Sequence, residues 1–156
     1  MCFNMNNIIV IDDDLIVLDV LKNSMDWGKF GFKFCGAFSR SVDALKFISE
    51  NHVDAAITDI RMPKPDGIEI LKICAEKYPH IKFIICSAYH DFEYAQKALR
   101  YRNTFDYLTK PIDFSKFEES LMRIFKENEK ADTVHTLDSA DKKMNILSNI
   151  LFGIVP

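Results

Sequence analysis

The chain has no apolar run approaching the roughly 20 residues that a membrane-crossing helix needs. Its opening "MCFNMNN" lacks the basic stretch and long apolar segment of a secretory signal. No segment is basic enough to suggest nucleic acid. The formal net charge is −3, and contact with DNA through this piece is not expected. The four cysteines (Cys2, Cys35, Cys74, Cys86) form no pair at metal-ligand spacing, and three of them lie in apolar runs, as small core residues do in a reducing compartment. No internal repeat is present. These absences exclude a membrane-spanning chain and point to a cytoplasmic one.

What is there is a core. The 156 residues are 48% hydrophobic, enough for one ordinary domain with an appendage. Ile8–Ile11 reads as a short buried strand, and Leu15, Leu18, Leu21 and Met25 then recur at helical spacing. "FKFCGAF" (Phe32–Phe38), "VDAAITDI" (Val53–Ile60), "IKFIICS" (Ile81–Ser87) and "TFDYL" (Thr104–Leu108) are further strands. Between them lie a helix carrying Val42, Leu45 and Ile48, capped by Ser39 or Ser41, and one opened by Asp66 and Glu69 at capping-box spacing. Another covers Asp91–Tyr101, and a last one begins near Asp113 with Phe114, Phe117, Leu121, Ile124 and Phe125 on one stripe. Five strand–helix alternations predict an α/β fold, a doubly wound parallel sheet with helices on both faces. From Lys126 to Asp141 the apolar periodicity stops, giving a helix end and then a linker. An amphipathic segment follows at Lys142–Leu151, too small for its own core, and the apolar "GIVP" end reads as the terminus of an excised fragment. The expected division is 1–128 for the domain and 129–156 for linker and short helix.

In open parallel sheets, ligands sit beyond the carboxyl ends of the strands. Past the first strand come Asp12, Asp13 and Asp14; past the third, Asp59; past the fourth, Ser87; past the fifth, Lys110. Singly, each has an ordinary explanation. Asp14 reads as a helix N-cap, Asp12 or Asp13 as a solvated turn, Ser87 as a cap and Lys110 as a surface lysine. Coincidence at four loops of one sheet edge is much less credible than at one. Two carboxylates ~6 Å apart repel by roughly 3 kcal/mol at an effective dielectric near 20. Three together raise pKa values or draw in a cation, and an all-oxygen donor set suits Mg²⁺. A cation, a nucleophilic aspartate, a hydroxyl and an ammonium make a phosphoryl-transfer site.

Five separated signals resemble the receiver domain of two-component response regulators: "DD" at Asp12–Asp13, "DIRMPxxDG" around Asp59, Ser87–Ala88, the aromatic Tyr107, and "KP" at Lys110–Pro111. The resemblance covers roughly residues 7–127 and implies a flavodoxin-like sheet of order 2-1-3-4-5. It implies that Asp59 is the phosphoacceptor, receiving a phosphoryl group from a sensor histidine kinase. Asp13, Asp59 and the backbone carbonyl of Arg61 would ligate Mg²⁺, with Asp12 assisting through water. Lys110 would pair with the phosphoryl group, Ser87 would donate a hydrogen bond to it, and Tyr107 would change rotamer as Ser87 moves. Such a domain is a phosphoacceptor switch rather than an enzyme, at most catalysing its own phosphotransfer and dephosphorylation. Small Ala88 leaves the aspartyl phosphate accessible, and a cis Lys110–Pro111 bond is implied.

"MDWGKFGFKFCGAF" and "SAYHDFEYAQKAL" are similar to receivers of YesN/AraC-type transcription regulators. In those, a linker and a DNA-binding domain follow, so DNA binding would belong to a C-terminal part absent here. A homodimer through the face from the fourth to the fifth helix is implied as well. Two departures stand out. "RYRNTFDYL" has no glycine before the fifth strand, so Asn103 is expected in the left-handed conformation, and Lys64–Pro65 should stiffen the loop after Asp59. Two rivals are weaker. A haloacid dehalogenase-type phosphatase would use Asp12 and Asp14 as its D-x-D, but Leu15 and the lack of a late acidic pair speak against it. An inert pseudo-receiver would have lost one of Asp13, Asp59, Ser87 or Lys110.

Overall fold

The computed structural model describes residues 4–88 and 92–134. In chain order the elements are β1 (Asn6–Ile11), α1 (Leu15–Ser24), a 3₁₀ turn (Trp27–Phe30), β2 (Phe32–Phe38), α2 (Ser41–Glu50), β3 (Ala55–Thr58), α3 (Gly67–Lys77), β4 (Lys82–Ser87), α4 (Phe92–Leu99), β5 (Thr104–Thr109) and α5 (Phe114–Val134). All strand pairs are parallel and the order is β2-β1-β3-β4-β5, the doubly wound topology expected from the alternation.

Successive residues of a strand face opposite sides of a sheet, so a sheet covered on both faces needs strands that are apolar throughout. β1 shows why. Ile8 and Val10 join one core layer with α1, the Trp27 turn and α5, while Ile9 and Ile11 join the other with α2, α3 and α4. β4 divides the same way, Ile84 and Cys86 to the first layer and Phe83 and Ile85 to the second. In the first layer the Trp27 ring packs edge-on to Phe117 at 5.9 Å, and its Nε1 donates to Leu21 O. Burial pushes the thiols of Cys74 and Cys86 up to about 12, so both are neutral core groups. Cys35 is only half-buried, because it is the extra residue where the β1–β2 register shifts.

Several local expectations change. Leu15 is 68% exposed, since it is the first residue of α1 and the packed stripe begins one turn later with Leu18. Neither serine caps α2: the N-cap is Arg40, with no side-chain bond, and the Ser41 hydroxyl is buried without a partner. Asp66 does cap α3, its carboxylate accepting from Glu69 N. Asn103 is not left-handed, for no non-glycine residue among those described has positive φ. It is instead buried, its Nδ2 donating to Leu71 O at 3.1 Å while its carbonyl accepts from Phe83 N at 2.7 Å. A tertiary hydrogen bond from α3 fixes that turn, where the sequence suggested only local backbone freedom. The Lys110–Pro111 bond is cis, and so is Lys64–Pro65. α5 continues to Val134, and the amphipathic segment at 142–151 lies outside the described residues.

Candidate functional site

The carboxyl ends of β1, β3, β4 and β5 bring the chemistry together. Asp12 N donates to Phe38 O at 3.0 Å, extending the β1–β2 ladder by one residue and fixing Asp12 at the sheet edge. Asp59 N donates to Ile11 O at 3.0 Å, which sets Asp59 beside it on the next strand. Lys110 N donates to Ser87 O at 2.7 Å and locks the β5 end to the β4 end. These bonds set Asp59 beside β1 and Lys110 beside Ser87, and the β3–β4 ladder joins the two pairs. The side chains follow: Lys110 Nζ donates to Asp12 Oδ2 at 2.7 Å and to Asp59 Oδ2 at 3.1 Å. Asp12, Asp13 and Asp59 each offer an oxygen within 4.8 Å of the others.

The three aspartates of the triplet take different tasks. Asp12 is buried, and its Oδ1 accepts from Asp14 N. Asp13 is exposed and reaches the edge from solvent. Asp14 accepts from Ile16 N as the N-cap of α1. The second acid required by the phosphatase reading is therefore spent on a helix end.

Burial raises the Asp12 carboxyl above its ordinary value, and Asp59 adds to this, while the hydrogen bond and charge of Lys110 and the bond from Asp14 N oppose it. Burial pulls Lys110 down, but the hydrogen bond and charge of Asp12, together with Asp59, outweigh it and hold the ammonium above its usual value. Asp12 is the more deeply buried partner, with 3% of its side chain exposed against 22% for Lys110. Lys110 is the charged member that stands firm, and the carboxylates are the crowded side.

Ser87 is fully buried as the last residue of β4. Tyr107 is half-buried on β5, opposite Ile85, and packs in the layer with α4. The structure therefore assembles Asp12, Asp13, Asp59 and Lys110 directly, with Ser87 at the same edge. Tyr107 stands two residues upstream of Thr109, which pairs with Ser87.

Two features escaped sequence reasoning. Gly67 lies so close under the acidic edge that a Cβ there would come within 2.2 Å of Asp59 O and 2.7 Å of Ile60 Cα. The glycine lets α3 start directly against the Asp59 backbone, tied by Gly67 N donating to Ile60 O; the "DG" was visible, its reason was not. The second is the Arg61 guanidinium, which lies 5.4 Å from the Tyr94 ring centroid on α4, with Lys97 Nζ 5.5 Å from the same ring. Nothing in the local sequence joins residues 61 and 94.

Fold and edge together define an α/β protein with a lysine-bridged carboxylate cluster at the carboxyl end of a parallel sheet. The family model for the response regulator receiver domain matches residues 8–122, and the chain belongs to that family. The transcriptional regulatory protein HptR of Staphylococcus aureus is 33% identical over 120 residues, which is 77% of this chain and 46% of that protein. The uncharacterized transcriptional regulatory protein YesN of Bacillus subtilis is 32% identical over 139 residues, 89% of this chain and 37% of that one. The chain thus spans less than half the length of these curated relatives. Among solved structures, the REC domain of AraT, a response regulator from Geobacillus stearothermophilus, aligns with a TM-score of 0.77 and 28% identity, covering 82% of this chain and 98% of the other. Among the described residues no helix is long and apolar enough to cross a membrane.

Proposed function

We propose that this receiver accepts a phosphoryl group on Asp59 from the phosphohistidine of a sensor histidine kinase and passes the change to a transcription-regulating output region. The observation that carries this reading is the Lys110 ammonium shared between Asp12 and Asp59 at the edge where the three carboxylates meet. An Asp59 oxygen attacks phosphorus, the P–N bond of the phosphohistidine breaks, and its electron pair leaves with the imidazole nitrogen. The new acyl phosphate adds negative charge beside Lys110, which can release Asp12 and follow it. Buried Ser87 supplies a hydroxyl at that edge, and its reorientation against Tyr107 is the local change that the output region reads.

The donor set fits a hard divalent ion. Three oxygens from two loops lie within 4.8 Å of one another, one of them buried with its pKa raised by crowding and burial. Asp13 and Asp59 would hold Mg²⁺ with the Arg61 carbonyl, and Asp12 through water; the ion would neutralise charge on the transferred phosphoryl group. Beyond its own phosphotransfer and dephosphorylation no enzymatic turnover belongs to this reading. Homologues named as transcriptional regulators support a DNA-binding output in the full-length protein; a dimer through the α4–β5–α5 face, in the cytoplasm, belongs to the same reading.

The test is incubation with Mg²⁺ and acetyl phosphate followed by intact-mass measurement. One phosphoryl adduct is expected, absent in Asp59→Asn and absent when the metal is chelated. A wild-type chain that takes up no phosphoryl group would mark an inert pseudo-receiver.

A further inference from the structure

At the opposite end of the sheet from the carboxylates, an open groove of ≈ 530 Å³ lies between the start of β4, the turn into β5 and the second half of α5. Five cationic side chains line it, Lys82, Arg102, Arg123, Lys126 and Lys130, against one acid, Glu127. In a chain with 20 basic and 23 acidic residues this is a local reversal of the charge balance. Asp106 answers one of the five, accepting from Arg123 at 2.7 Å. The others leave a net positive concavity that favours an anion.

The groove is braced. Lys82 Nζ donates to Asn128 Oδ1, and Asn128 Nδ2 donates to Asn6 Oδ1, so the second half of α5 is tied to the starts of β4 and β1. That tie holds the part of α5 carrying Lys126 and Lys130 against the Lys82 side of the groove. Phe105 is the extra residue at the β4–β5 register shift, and the Arg123 guanidinium lies 5.3 Å from its ring centroid. That stack gives the groove a flat, π-rich wall. Asn103 also lines it and is 5% exposed. Its Nδ2 is committed to Leu71 O, which can only accept, so the amide orientation is fixed and Oδ1 is left as a buried acceptor without a donor.

We propose that this groove binds a nucleotide carrying two or more phosphates. The phosphates meet the Lys and Arg rims, where charge-assisted hydrogen bonds are strongest. The base lies against the Phe105–Arg123 wall. A bare inorganic anion would use the rims and leave the wall unanswered. Duplex DNA presents a convex surface to a concave groove and must approach a chain of net charge −3. The groove lies away from Asp59, so the proposal stands independently of the phosphoacceptor reading.

The experiment titrates the full 156-residue chain with ATP, pyrophosphate and a short duplex DNA, in EDTA and at low ionic strength, by calorimetry and amide NMR. ATP is expected to bind saturably, shifting amides at 102–106 and 123–130, with Asp59→Asn unchanged. Lys126→Gln combined with Lys130→Gln is expected to weaken it roughly tenfold, as is Arg102→Gln, all exposed changes that leave the core untouched. No saturable ATP binding, or binding indifferent to these substitutions, overturns the proposal. Pyrophosphate binding as tight as ATP overturns the assignment of a nucleotide, and tighter binding of duplex DNA overturns the class of ligand.

Discussion

Asp12 carries the main electrostatic cost at the site. It is buried, its pKa is raised chiefly by that burial, and its compensating partner Lys110 is shared with Asp59. A carboxyl whose folded pKa lies above its unfolded 3.8 contributes stability that is full below 3.8 and lost as pH rises through the folded value. Without divalent cations, ionising Asp12 therefore costs the fold stability. Asp12→Asn is expected to raise Tm in EDTA at pH 7, each recovered kcal/mol appearing as roughly 2–4 °C, and to flatten the fall of Tm between acid and neutral pH. The same substitution should weaken Mg²⁺ binding. Lys110 works in the other direction: its raised pKa keeps its contribution intact below 10.5 and loses it only above the folded value. A calorimetric pH series of the two proteins decides the matter, and a lower Tm for Asp12→Asn would make the ion pair a net stabiliser.

Elements earn their positions through contacts that the sequence shows unevenly. α3 begins against Asp59 because Gly67 has no Cβ. In Gly67→Ala the added methyl meets only backbone, so the loop must shift; a loss of about 1–3 kcal/mol is expected from overpacking, seen in urea unfolding. Uptake from acetyl phosphate should fall with it, because Asp59 O and Ile60 move together. The strands and the acid–lysine edge were legible beforehand, since a two-face-covered strand has an apolar run and its next residue marks the edge, while the strand order was implied only by the resemblance to receiver domains. Asp12, Asp59 and Lys110 were found that way. What stayed hidden was tertiary. Asn103 was expected left-handed from local propensity, but a hydrogen bond to Leu71, 32 residues away, decides it. The cap of α2 fell to Arg40, although the neighbouring serines have the better propensity. The register shifts that free Cys35 and Phe105 leave no signal in residue type.

Over the whole molecule, two core layers hold a sheet whose ends differ in charge, acidic beyond the carboxyl ends of β1 and β3 and basic beside the start of β4. The layer under α5 is the one that links them, because α5 spans from the Lys110 loop to the basic groove. Phe117 is its centre, fully buried and edge-on to Trp27. Phe117→Ala is expected to cost about 3–5 kcal/mol. Urea titration followed by the fluorescence of the sole tryptophan should show this as a lower midpoint, and a cost under roughly 1 kcal/mol would mean the layer collapses around the gap. The central claim is that the nucleophile is Asp59 and not a member of the aspartate triplet. Phosphorylate the chain with acetyl phosphate and Mg²⁺, reduce the acyl phosphate with borohydride, and locate the altered residue by peptide mapping. Reduction at Asp59 alone is the predicted result; reduction at Asp12 or Asp13 would contradict it.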